Sequence, residues 1–185
     1  MLDLKQIDNT WTLFLDRDGV INVEKYKEYI LNYDEFKFHE GVPEAIEFFS
    51  RKFGKIIIIT NQRGVGRNLM TEKDLLSIHD QMLAEIEASG GQVHKIYYCT
   101  SVDDEHPNRK PNPGMVHEAL RDFPSIDLKK SIMVGNKPSD MKFGRNAGMH
   151  TVFVRTTNPE VEFPNPLIDL AFEDLSDFAK ALQNT

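Results

Sequence analysis

Short apolar runs alternate with longer amphipathic stretches along this chain, and that alternation limits its fold more than any other feature. The apolar runs lie at Trp11 to Leu15, Lys55 to Thr60, Lys95 to Cys99, Ser131 to Gly135 and Thr151 to Val154; their β-branched and aromatic content favours strands. Between and after them, Pro43 to Arg51, Glu72 to Ala88, Pro113 to Asp122, Ser139 to Ala147 and Leu175 to Leu182 repeat apolar residues at helical spacing. Strands separated by helices need crossover connections. The pattern therefore predicts an α/β fold: a Rossmann-like three-layer sandwich with a mostly parallel central sheet and helices on both faces. Thr71 with Asp74 forms a weak capping box, and Asn112 followed by Pro113 offers an N-cap and a first-turn proline. Residues 20–40 are the least regular part and read as a loop or small flap, a minimal cap at most. The stretch Asn158 to Pro166, with its three prolines, reads as an extended surface connection. A chain of 185 residues, 40% hydrophobic and 28% charged, suits one domain spanning 1–185.

A net charge of -7 argues against nucleic-acid or anionic-membrane partners, which are held by clustered Lys and Arg. A small anionic ligand needs only a local cationic pocket. The lone cysteine, Cys99, excludes an internal disulfide, and Met1 to Thr12 does not resemble a secretory signal. No apolar stretch approaches the roughly 20 residues a membrane-spanning helix needs. The expectation is a soluble, cytoplasmic monomer.

Four polar strings sit at or just beyond predicted strands. In WTLFLDRDGVIN the first strand ends in Asp16-Arg17-Asp18-Gly19, and two carboxylates spaced by two residues can face one side. One is then placed to attack and the other to move protons. In isolation an acidic turn is at least as good a reading, but carboxyl ends of strands are where open α/β sheets build ligand sites. In IIIITNQRGVGR, Thr60 offers a hydroxyl, Asn61 an amide, and Gly64 and Gly66 a close backbone turn, so the string is a candidate anion cradle with Arg63 and Arg67 nearby. In NRKPNPG, Lys110 is a compact ammonium suited to a phosphoryl oxygen and Arg109 a planar fork suited to a second anion. In SIMVGNKPSDM, Asn136 and Asp140 are oxygen donors suited to a hard cation, Lys137 is placed to orient a carboxylate, and Asn136 or Ser139 can cap the following helix. The histidines show no metal-ligand spacing, and His39, His79, His94, His117 and His150 read as surface or packed residues.

Together the four strings resemble the haloacid dehalogenase superfamily, from about Trp11 to Val154. FLDRDGVIN, TNQRGVGR, RKPNPGM and VGNKPSDM are particularly similar to its heptose 1,7-bisphosphate phosphatases, with histidinol-phosphatases the nearest alternative. The resemblance implies Asp16 as nucleophile, Asp18 as acid/base, Thr60 and Lys110 as phosphoryl-binding groups, and Arg109 as a recognition residue for a phosphorylated sugar. It also implies Mg2+ at Asp16, the Asp18 carbonyl and Asn136, with Asp140 the adjacent acidic candidate. Two departures stand out. The family usually has aspartate where this chain has Asn136, which leaves open a catalytically weakened sugar-phosphate-binding protein. The family's zinc loop, Cys-x-His then Cys-x-Cys, is reduced here to Cys99 and His106, so no structural zinc is expected.

Overall fold

The computed structural model describes residues 2–185. Six strands form one sheet: β1 (Thr12–Leu15), β2 (Lys55–Asn61), β3 (Lys95–Cys99), β4 (Ser131–Gly135), β5 (His150–Val154) and β6 (Leu170–Phe172). Their order is β3-β2-β1-β4-β5-β6 and every neighbouring pair is parallel. Six α-helices accompany them: α1 (Val42–Lys52), α2 (Arg63–Gly66), α3 (Glu72–Ala88), α4 (Gly114–Asp122), α5 (Pro138–Asn146) and α6 (Leu175–Gln183).

Alternation along the strands builds the three layers. Leu13, Leu15, Ile56, Ile58, Ile132 and Val134 point to the face covered by α1, α3 and α6. Phe14, Ile57, Ile59 and Met133 point to the other, against Met115 and Val116 of α4 and Phe143 of α5. Buried on both faces, these strands read as continuous apolar runs. Phe49 of α1 packs its ring 5.4 Å from Phe178 of α6, closing the first layer. Truncating so buried a phenylalanine to alanine costs about 3–5 kcal/mol.

Several local readings need correction. Strand β6 escaped the pattern because it has three residues, all half-buried, and follows the proline-rich connection. The glycine turn after β2 is a one-turn helix, α2. Pro113, not Asn112, occupies the cap of α4; the Asn112 amide instead donates to the carbonyls of Asp104 and His106. Helix α5 is capped by neither Asn136 nor Ser139; the Asp140 carboxylate reaches back to the Lys137 N–H at 3.0 Å. The Thr71–Asp74 capping box of α3 is present in both directions. Residues 20–40 form a small flap pinned by an antiparallel bridge between Asn22 and Phe38 and a single 3-10 turn, Tyr33–Glu35.

The topology positions the site. The chain runs outward from β1 through β2 to β3, then crosses back to β4 on the other side of β1. Loops at the carboxyl ends of β1, β2 and β4 diverge at that reversal and open a crevice. Among the described residues, no helix is long and apolar enough to cross a membrane.

Candidate active site

A cleft of about 690 Å³ opens over the carboxyl ends of the strands, lined in part by Asp16, Asp18, Asn61, Arg67, Arg109 and Lys110. Thr60 and Asn136 lie buried at the same strand ends. The sequence-predicted residues therefore converge, although several have duties the sequence did not reveal.

Asp16 continues β1, its N–H donating to the Val134 carbonyl at 3.0 Å. Its Oδ1 accepts from the Arg17 N–H at 2.8 Å and lies 2.9 Å from Lys110 Nζ. Among the described residues no donor reaches Oδ2, which leaves that oxygen available to the cleft. Burial pushes the Asp16 carboxyl up to about 6, since the Lys110 charge offsets only part of the desolvation and the Asp140 carboxylate opposes it. Lys110 is fully engaged. Its ammonium meets Asp16, Asp140 Oδ1 at 2.8 Å and the Ile59 carbonyl at 2.9 Å. Burial disfavours its charge, but the two carboxylates outweigh burial and hold it above the usual lysine range.

Asn61 holds this lysine in place. Its Oδ1 accepts the Lys110 N–H at 3.1 Å and its Nδ2 donates to the Lys110 carbonyl at 3.2 Å. Asp140, named from the sequence as a candidate metal ligand, also has contacts within the protein. Oδ1 faces Lys110 and Oδ2 caps α5, so both oxygens have protein partners. This packing requires Gly135, where an added Cβ would sit 2.2 Å from the Asp140 Cβ.

Asp18 accepts from Arg17 Nε at 3.1 Å and Nη2 at 2.8 and 2.9 Å, from Asn22 Nδ2 at 3.0 Å and from Gln62 Nε2 at 2.8 Å. Burial alone would raise its carboxyl, but the Arg17 charge and these donors outweigh burial and hold it below the usual carboxylate range. Gln62 also donates to Thr60 Oγ1 at 2.8 Å, so the Thr60 hydroxyl belongs to the scaffold of Asp18. Sequence reasoning assigned no role to Asn22 or Gln62. Gln62 lies inside the TNQRG string, and that position was its only signal.

Asn136 is completely buried. Its Nδ2 donates to Glu24 Oε2 at 3.2 Å and to the Thr157 hydroxyl, while its Oδ1 has no hydrogen-bond partner. An orphaned amide oxygen costs free energy unless something meets it. An amide oxygen left over in this way is the kind of donor a hard divalent cation takes, as the carboxylate of Asp16 and the Asp18 carbonyl are. Gly19 adopts φ +84°, and a Cβ there would lie 2.0 Å from Asn136 Nδ2. Lys137 pairs with Glu24 of the flap.

At the cleft mouth Arg109 donates through Nε to Asp104 at 3.0 Å and through Nη1 to the Ser101 carbonyl at 3.3 Å. Arg63 reaches the same Asp104 carboxylate, and Arg67 lies 5.8 Å from the Tyr29 ring centre. Where the resemblance pointed to a reduced zinc loop, Cys99 Sγ lies 3.6 Å from His106 Nδ1, which also accepts the Asn108 N–H at 3.2 Å.

The chain as a whole is similar to known proteins. A HAD-hydrolase-like family model matches residues 107–178. The D-glycero-alpha-D-manno-heptose-1,7-bisphosphate 7-phosphatase of Campylobacter jejuni is 37% identical over 78% of this chain and 82% of its own. The D-glycero-beta-D-manno-heptose-1,7-bisphosphate 7-phosphatase of Vibrio cholerae is 36% identical over 89% and 92%. Among solved structures, a D,D-heptose 1,7-bisphosphate phosphatase from B. bronchiseptica, complexed with magnesium and phosphate, superposes with a TM-score of 0.85 at 30% identity, covering 94% of this chain and 98% of that one. The chain belongs to the heptose 1,7-bisphosphate phosphatase family of haloacid-dehalogenase-like hydrolases.

Proposed function

We propose that this protein is a magnesium-dependent phosphatase that removes the C7 phosphate of D-glycero-D-manno-heptose 1,7-bisphosphate, working as one cytoplasmic domain. The observation that carries this reading is a buried carboxylate, Asp16, aimed into a cleft with one oxygen held by Lys110 and the other unpartnered.

Oδ2 of Asp16 attacks phosphorus and the bond from phosphorus to the sugar oxygen breaks, leaving an aspartyl-phosphate. Asp18 gives its proton to the departing oxygen. In the second half Asp18, now a carboxylate, takes a proton from the attacking water; the Asp16 carboxylate and inorganic phosphate are released. The donors around Asp18 favour the anion that the second half needs. An incoming phosphate, itself anionic, raises the affinity of Asp18 for the proton used in the first half. Lys110 answers the charge on the transferring group from below. Asp16, the Asp18 carbonyl and Asn136 would hold Mg2+, which would supply charge neutralisation between two anions.

Arg67, Arg109 and Arg63, the last two sharing Asp104, are cations at the mouth that the second phosphate of a bisphosphate would meet. Histidinol phosphate has no second phosphate, and its cationic histidinol portion gains nothing from these groups. Steady-state kinetics on the two compounds with Mg2+ tests the assignment. Equal or higher kcat/KM for histidinol phosphate would remove the heptose substrate. Tight binding without phosphate release would favour a sugar-phosphate-binding protein, the outcome that the neutral Asn136 keeps open. The reading also expects Asp16→Asn to abolish phosphate release in a folded protein.

A further inference from the structure

A buried hydrogen bond between two basic side chains lies behind the cleft. Arg17 is fully buried and His79, on α3, is 3% exposed. They meet through Arg17 Nη1 and His79 Nε2 at 3.1 Å. A guanidinium has only donors, so Nε2 is the acceptor and the imidazole is neutral, with its proton on Nδ1. Burial first, then the neighbouring Arg17 charge, pushes His79 down to about 3, consistent with a neutral ring. The other edge of the same guanidinium, Nε and Nη2, grips both oxygens of Asp18.

We infer that His79 is a positioning residue for Asp18, acting through Arg17. The inference rests on the reading of Asp18 as acid/base. A planar guanidinium held at one edge can rotate about its stem unless the other edge is also fixed. Nη1 points away from Asp18, and His79 is the side-chain acceptor that meets it there. The packing of α3 sets the imidazole. Leu75, Ile78, Met82 and Ile86 fill the apolar face on which His79 sits, so its ring cannot follow a drifting arginine. The chain thus fixes its proton-transfer group from the back of the sheet, through a helix that contributes nothing to the cleft lining.

The test compares His79→Gln with His79→Asn. Glutamine sets its Oε1 where the imidazole carries Nε2; asparagine reaches only the Nδ1 position and leaves Arg17 unmet. kcat/KM is measured on heptose bisphosphate and on p-nitrophenyl phosphate, whose leaving group departs without a proton. His79→Asn should lower kcat/KM for the sugar phosphate about tenfold or more, within the range general acid catalysis supplies, while changing the aryl phosphate value less than about twofold. His79→Gln should restore most of the sugar-phosphate rate. A parallel fall on both substrates, no fall on either, or a glutamine variant as poor as the asparagine one would overturn the inference. Asp18→Asn is run alongside. If it kept full turnover of the sugar phosphate, the acid/base reading itself would fall; if Asp18→Asn is defective and His79→Asn is not, only the role of His79 is lost.

Discussion

One carboxylate oxygen of Asp16 lies 2.9 Å from the ammonium of Lys110, and both side chains are buried from solvent. Lys110→Met leaves Asp16 and Asp140 facing each other with no cation between them. Breaking a buried pair by removing one partner costs about 3–5 kcal/mol, lessened here as Asp16 takes up a proton. Urea unfolding should show a loss of that order, and phosphate release should fall to background. A mutant of native stability would mean that the ammonium is not what holds the two carboxylates together.

Asn136→Asp adds a carboxylate to an otherwise all-oxygen donor set. Ligand charge count governs affinity for hard cations, so a titration of activity against Mg2+ should show roughly tenfold tighter binding. Weaker binding in the aspartate variant would remove Asn136 from the set.

Arg109→Ala removes a fork from the cleft mouth. Hydrogen bonds to charged groups contribute about 1.5–3 kcal/mol, so kcat/KM for the bisphosphate should drop on the order of 10- to 100-fold. An aryl phosphate, with nothing to offer the rim, should lose less than about threefold. Comparable losses on both substrates would assign Arg109 to the loop it shares with Asp104 and not to recognition.

The buried, neutral His79 makes stability depend on pH in a definite direction. Its value in the fold, about 3, lies below its ordinary 6.5. The unfolded chain therefore binds the extra proton first, and this contribution to stability, complete above pH 6.5, is lost as pH falls toward 3. His79→Gln has no such proton to bind. Between pH 7.5 and pH 5 the variant should gain about 2 kcal/mol relative to the parent in denaturant unfolding. A constant difference across that range would mean the imidazole is not held neutral.

Cys99 and His106 alone do not provide four tetrahedral ligands, so elemental analysis of the purified protein should find no stoichiometric zinc. EDTA should abolish Mg2+-dependent turnover while leaving the melting temperature nearly unchanged. One zinc per chain, or a collapse of thermal stability on chelation, would contradict this.

The sheet and the convergence of Asp16, Asn61, Lys110, Asn136 and Asp140 were legible because four of the five apolar runs led into a polar string at or beyond the strand end. Their division of labour was not. Asn61 and Asp140 carry the chemistry of ligands but spend their hydrogen bonds on Lys110 and on α5. Such assignments depend on angles between loops that no spacing rule encodes. His79 left a faint trace, a polar residue in register with Leu75, Met82 and Ile86 on a buried helical face. Its partner Arg17 sits between two aspartates, where strand alternation points it away from them, and the turn after β1 brings its fork back onto Asp18. Strand β6 was hidden because three half-buried residues carry too little periodicity to register.

The reversal of strand order at β1 also bears on how such an activity can be inherited. Asp16, Asp18, Asn61 and Lys110 all precede the crossover to β4, whereas Asn136 and Asp140 follow it. Neither half of the sheet holds a complete set: the first lacks Asp140, the second of the two carboxylates on Lys110, and the orphaned amide, and the second lacks the attacking group. Recombination between related genes at the α4 connection would therefore join two incomplete halves, and the product would work only if the Lys110–Asp140 contact were matched across the seam. The activity is a property of the whole sheet and cannot be transplanted as a cassette.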